Sequence, residues 1–291
     1  MALSSFFLSF VLIFFASLAS GESKPLQKLE KCTLVPTKWA DGDSFLVRTA
    51  GGVEHTVRLY GVDCLEASIN NDSDARRLRA QRRYFGITRV KPDPRASIEL
   101  AKSYGEKAAK ETREFLQNPF TVHTGYADAR GDGRYQRIYA FVVNGDGKDL
   151  AAHLVSQGLA RAYGVYRSTY HGLSHEDYRE NLRDLELLAA KQGRGIWALT
   201  NWEDLPGERR TQREEEAETR LAFDDSKLAA GTQLNPNTAA RDELMRLPGV
   251  GETIANRIIG ARPFQKQNDL LKVSGIGTIT LERLAPFLVF E

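Results

Sequence analysis

Cysteine is almost absent: Cys32 and Cys64 are the two thiols in 291 residues. Two cysteines exclude a disulfide framework as the source of stability, although an oxidising compartment would permit this one pair to join. A large excess of either charge is also missing, since 40 Lys and Arg against 38 Asp and Glu leave a net charge of +2. That near balance hides an uneven distribution, about +5 over residues 22–200, about −4 over 201–230 and about +1 from Gly231 onward. A mildly basic body joined to an acidic connector permits a polyanionic partner without requiring one. Charge is lacking altogether in the first stretch, "MALSSFFLSFVLIFFASLASG". Its apolar centre runs from Phe6 to Phe15, followed by small residues, with Ala19 or Gly21 as the last residue before a cleavage point. This pattern predicts a signal peptide over residues 1–21 and a secreted, extracellular or periplasmic protein. The alternative is an uncleaved anchor, for which so short a run is marginal. Cleavage would leave no stable membrane association.

What is present fits a globular chain, with 42% hydrophobic and 27% charged residues. Residues 30–61 alternate apolar and polar side chains and are punctuated by Asp41-Gly42 and Gly51-Gly52. Three strands are expected, near 31–39, 44–49 and 54–61. Two helices follow, the first capped by Asn or Asp and rich in arginine. A strand pair is expected from "PFTVHTGY" and "RYQRIYAFVV", then two further helices ending near "GRGIW". The expected fold is a five-stranded OB-fold barrel capped by helices over residues 28–200. Residues 201–230 have few large apolar side chains and read as a charged linker, helical in part through Arg213–Arg220. Residues 231–291 hold two related units, "LPGVGETIANRII" and "VSGIGTITLERL". Each is a Gly-hydrophobic-Gly turn leading into a helix, so a separate small all-α domain of two hairpins is expected.

Three charged clusters carry the chemistry. In "WADGDSF" an Asp-Gly turn accounts for Asp41 and Gly42 but not for Asp43, which opens a strand where Asp is disfavoured. In "TVRLYGVDCLEA" an apolar strand is followed within nine residues by Arg58, Asp63 and Glu66. Carboxylates at a strand end can converge on a hard cation such as calcium. In "GDGRYQRIYAFVV" Arg134 and Arg137 flank the start of a strand, either protecting an edge or clamping phosphate.

In this order the clusters resemble the staphylococcal nuclease (thermonuclease) family over roughly residues 30–197. The resemblance implies one Ca2+ held by Asp43, Asp63 and the backbone carbonyl of Cys64. It implies Glu66 as the base or the orienter of the attacking water, and Arg58 and Arg137 as the grip on the scissile phosphate. Asp41 and Arg134 would support the site, with Arg134, Tyr135 and Tyr166 contacting substrate. Tyr163 falls one position out of register. Three departures stand out. Cys64-Leu65 replaces the usual Thr-Pro, which would loosen the loop carrying Glu66. Gln136 replaces a glycine. The span from Ala67 to Ser97 is an insertion whose arginines, Arg76, Arg77, Arg79, Arg82 and Arg83, either track a nucleic-acid backbone or form a solvated face.

The last module resembles the helix-hairpin-helix DNA-binding domain. Gly249, Gly251, Gly275 and Gly277 would present backbone N–H groups to phosphates, with Arg257 and Lys272 as charge support. Together these readings imply a secreted, monomeric, calcium-dependent endonuclease of low sequence specificity, acting on DNA and RNA and tethered to a DNA-binding module. The alternative is a catalytically impaired extracellular DNA-binding or uptake protein.

Overall fold

The computed structural model describes residues 25–91, 93–129, 137–224, 228 and 231–290. The N-terminal apolar stretch lies outside the described residues, as do Arg134, Tyr135 and Gln136. No helix among the described residues is long and apolar enough to cross a membrane.

Five strands close a barrel: β1 (Gln27–Val35), β2 (Ser44–Arg48), β3 (Glu54–Leu59), β5 (Phe120–Asp128) and β6 (Arg137–Val143). Their order around the barrel is β1-β2-β3-β6-β5. All neighbouring pairs are antiparallel except β3 with β6. This is the five-stranded OB-fold barrel expected from the alternating pattern. Inward positions alternate along β2 and β3, where Phe45, Val47, Val57 and Leu59 are buried. The first strand begins and ends earlier than expected, because Pro36 has no N–H to give the ladder and stops it at Val35. A short pair, β4 (Val62–Cys64) with β7 (Ala160–Ala162), lies beside the barrel. Cys32 and Cys64 are both buried free thiols, so the pair permitted by sequence is not joined.

The helices carry the caps that their sequences advertise. α1 (Asp72–Tyr84) starts where Asn71 accepts from the Asp74 N–H at 3.0 Å. α2 (Pro94–Phe115) places Pro at its first turn behind the Asp93 cap. α3 (Leu150–Ser156) and α4 (His175–Lys191) are capped by Asp149 and Ser174.

The connector is more ordered than its composition suggests. α5 (Leu205–Asp224) extends well beyond the stretch expected to be helical. It is pinned to α1 by charge. Arg83 grips Glu215 through two bonds of 2.6 and 2.8 Å, and Arg79 adds a third contact at 3.1 Å. Arg209 lies over the Tyr84 ring, 4.5 Å from its centroid, and Thr88 bonds Glu208.

The C-terminal module contains α6 (Arg241–Leu244), α7 (Glu252–Gly260) and α8 (Thr278–Leu284). Gly249 and Gly275 take φ of 78° and 99°, a backbone that side-chain-bearing residues rarely adopt. Gly251 and Gly277 cap α7 and α8 with nearly identical extended geometry. The two hairpins are thus repeats in backbone as well as in sequence. Arg257 donates to the Ser274 carbonyl at 2.8 Å and ties them together.

Candidate functional site

The barrel's β2–β3 edge and the β4 strand bring four charged side chains to one place. Arg58 lies opposite Ser44 in β2 and Tyr139 in β6. Its guanidinium reaches Asp43 Oδ1 at 2.9 Å and Asp63 Oδ1 at 2.8 Å. Asp43 Oδ2 accepts from the Cys64 N–H at 2.6 Å, which fastens β2 to β4. Asp41 accepts from the backbone N–H groups of Asp43 and Ser44, at 3.1 and 2.6 Å, and shapes the turn that presents them. Asp63 Oδ2 is held by Arg161 of β7 at 2.8 Å and by the Gln81 amide at 2.9 Å.

Burial governs the electrostatics. It pushes the Asp43 carboxyl up to about 8 against the pull of Arg58. Burial would raise Asp63 as well, but Arg161 and Arg58 overcome it and hold that carboxyl well below the usual range. Arg58, although desolvated, is held more basic by Asp43 and Asp63. Glu66 is pushed up to about 7, mainly by burial, with the Arg77 ion pair at 2.9 Å pulling the other way. A carboxyl with that value is poised to take a proton near neutral pH.

Arg137 has the opposite character. Its Nη1 approaches Ser44 Oγ at 3.5 Å, and Arg58 Nη1 approaches the same oxygen at 3.4 Å. Its buried Nε has no hydrogen-bond partner among the described residues. Burial, then the neighbouring Arg58, make it less basic than usual. Arg58 is already neutralised by Asp43 and Asp63, so Arg137 is the guanidinium of the pair with capacity left for an anion, and its planar fork has the shape to take one.

The loop carrying Glu66 is held from two sides. Leu65 is buried, and the Glu66 N–H donates to Gln81 Oε1 at 3.0 Å. From the other side α2 presses close: a Cβ on Gly105 would lie 2.5 Å from the Leu65 carbonyl and 2.7 Å from the Ala67 nitrogen. The looseness expected from losing a proline is therefore offset by packing. Gly105→Ala tests this. Helix propensity favours Ala by about 1 kcal/mol, yet the overlap is expected to cost about 1–3 kcal/mol in thermal unfolding and to displace the segment carrying Glu66.

Most of the insertion's arginines have partners within the protein. Arg77 holds Glu66, Arg79 and Arg83 hold Glu215, and Arg82 is buried against the Thr88 carbonyl and Ser97. Arg77, Arg82 and Arg83 turn into the protein, whereas Arg79 stays largely exposed and Arg76, also exposed, reaches Ser73 of its own helix. The Tyr166 ring packs beside Gly61, and Gly260 of α7 approaches its backbone carbonyl. Tyr163, one position out of register in sequence, lies under the Arg161 guanidinium at 4.1 Å from its ring centroid.

Sequence reasoning missed Arg161, Gln81 and Ser44. Arg161 carried the same signal that marked Asp43, a charge inside a short apolar strand. Gln81 is the uncharged polar residue of "RRLRAQRRYF", falling on the helix face of Leu78 and Phe85.

An OB-fold barrel thus carries paired carboxylates and two neighbouring guanidinium groups at one place on its wall. Among known families, residues 56–199 match the staphylococcal nuclease homologue family and residues 229–289 the helix-hairpin-helix motif. The chain carries these two domains in that order. It also resembles the endonuclease/exonuclease/phosphatase family domain-containing protein 1 of Xenopus laevis, 43% identical over 61 residues, 20% of this chain and 11% of that protein. The Danio rerio and human proteins of that name are each 45% identical over 56 residues, 18% of this chain and 10% of theirs. The chain spans about a tenth of the length of the curated relatives it matches.

Proposed function

We propose that the protein is an exported, calcium-dependent nuclease that hydrolyses DNA and RNA with little sequence preference, and that its helix-hairpin-helix module holds DNA near the site. The observation that carries this reading is the pair Arg58 and Arg137 on Ser44, with Glu66 on the same face of the domain. In this reading the two guanidinium groups bind the scissile phosphate and neutralise the charge that builds on it. Glu66 takes the proton of the attacking water. The staphylococcal nuclease resemblance implies products ending in 3′-phosphate.

The donor set suits a hard cation. Asp43, Asp63 and the Cys64 carbonyl offer oxygen only. Asp43 Oδ2 and Asp63 Oδ1 each accept a single bond, from Cys64 N–H and Arg58, so each keeps a lone pair. The raised Asp43 carboxyl supports a need for more positive charge. Among the described residues no group of three or more His, Cys, Asp or Glu side chains could hold a metal, so the carbonyl and water would complete the shell. Bound there, calcium would polarise the phosphate and orient water.

Purified full-length protein is incubated with supercoiled plasmid and with RNA, in calcium or in EGTA. Cleavage in calcium alone is expected. Removing residues 231–291 is expected to raise KM for long DNA while leaving kcat on short oligonucleotides unchanged. Tight DNA binding without turnover in either condition would instead support a catalytically impaired binding protein.

A further inference from the structure

The inserted helix α1 reaches the site through a residue that the charged motifs do not include. Gln81 is wholly buried, at 0% exposure. Its amide nitrogen donates to Asp63 Oδ2 at 2.9 Å and to the Cys64 carbonyl at 2.7 Å. Its amide oxygen accepts from the Glu66 N–H at 3.0 Å. One side chain thus holds three of the four residues from Asp63 to Glu66. Arg77, one helical turn earlier on the same face, holds the Glu66 carboxylate itself.

We infer that Gln81 is a positioning residue for catalysis: it sets the place of Glu66 relative to Asp63 and the paired arginines. This rests on the nuclease reading and deepens it. A primary amide suits the task, because it offers a donor and an acceptor at one end and both are used here. Its own position is fixed by the helix. Asn71 caps α1, the Tyr84 hydroxyl donates to Glu186 at 2.7 Å, and Arg82 is locked to Ser97 at 2.9 Å. A displacement of the base by about 1 Å is enough to lose a large part of the rate.

Three variants separate positioning from stability. Gln81→Met keeps the volume and removes donor and acceptor. Gln81→Glu keeps an acceptor for the Glu66 N–H and sets a second oxygen against Asp63 and Cys64. Arg83→Ala breaks the α5 contact and bonds nothing in the site. Turnover on an oligonucleotide and amide hydrogen exchange over residues 62–67 are measured for each. Gln81→Met is expected to lower kcat about 10- to 100-fold with KM within about threefold, and to speed exchange across the segment. Gln81→Glu is expected to lose kcat similarly while the Glu66 amide stays protected. Arg83→Ala is expected to lower Tm and keep kcat. The inference is overturned if Gln81→Met or Gln81→Glu keeps kcat within twofold, or if their loss merely follows Tm as Arg83→Ala does. Should the wild type turn over no nucleic acid, the nuclease reading falls. Unchanged exchange in Gln81→Met would then overturn the clamp separately.

Discussion

Glu66→Gln is expected to lower kcat by roughly 10²- to 10⁴-fold, the span usual for removing a general base. KM should change little, because Arg58, Arg137 and Ser44 remain in place. The same substitution has a second signature in stability. The Glu66 carboxyl sits at about 7 in the folded protein, above its ordinary 4.5. The folded state therefore holds this proton more tightly than the unfolded chain. Its contribution is fully present below about pH 4.5 and is lost as the pH rises through about 7. Gln cannot ionise and escapes that loss. Without calcium, Glu66→Gln should thus gain on the wild type between pH 5 and pH 8, by about 1–2 kcal/mol once partial exposure is allowed for. Single-turnover cleavage and urea unfolding at the two pH values, the latter in EGTA, read both effects. Turnover within threefold of wild type would remove Glu66 from the chemistry.

The second large effect separates two arginines that lie close together. Arg58 is bonded to two buried carboxylates; Arg137 has its Nε unpartnered among the described residues and a like charge beside it. Arg58→Ala leaves Asp43 without a cation and Asp63 with Arg161 alone, and is expected to cost about 3–5 kcal/mol of stability as well as activity. Arg137→Ala removes a half-buried cation whose Nε has no hydrogen-bond partner among the described residues. It should lower kcat by about 10²- to 10³-fold while Tm holds or rises. A destabilisation by Arg137→Ala equal to that of Arg58→Ala would make Arg137 a structural residue. A difference of this kind marks a residue kept for its ligand at the expense of the fold.

Much of this was legible in the sequence. The barrel showed in the two-residue alternation and in glycine turns that closed hairpins where expected. Arg58, Asp63 and Glu66 were legible because a strand ends among them and nine residues hold all three. Asp43 was legible because Asp has no reason to open a strand. Gln81 was hidden in a run of arginines whose own roles depend on residues far away. Arg83 finds Glu215 some 130 residues along the chain, and no local pattern announces that pair. The same long-range charge matching is why α5 looked like a linker. Helices with few apolar residues are legible only from the surface that they meet.

The parallel pairing of β3 with β6 has a consequence for how the protein comes into being. It joins Thr56 to Arg137, roughly eighty residues apart, and a pairing so distant carries a large loop-closure entropy and forms late. Arg58 arrives with one strand and Arg137 with the other. Before those strands meet the proposed phosphate site would not exist, whatever local structure has already formed. If the proposed reading holds, a nascent or partly folded chain would not yet be hydrolytic, and competence would arrive with closure of the barrel.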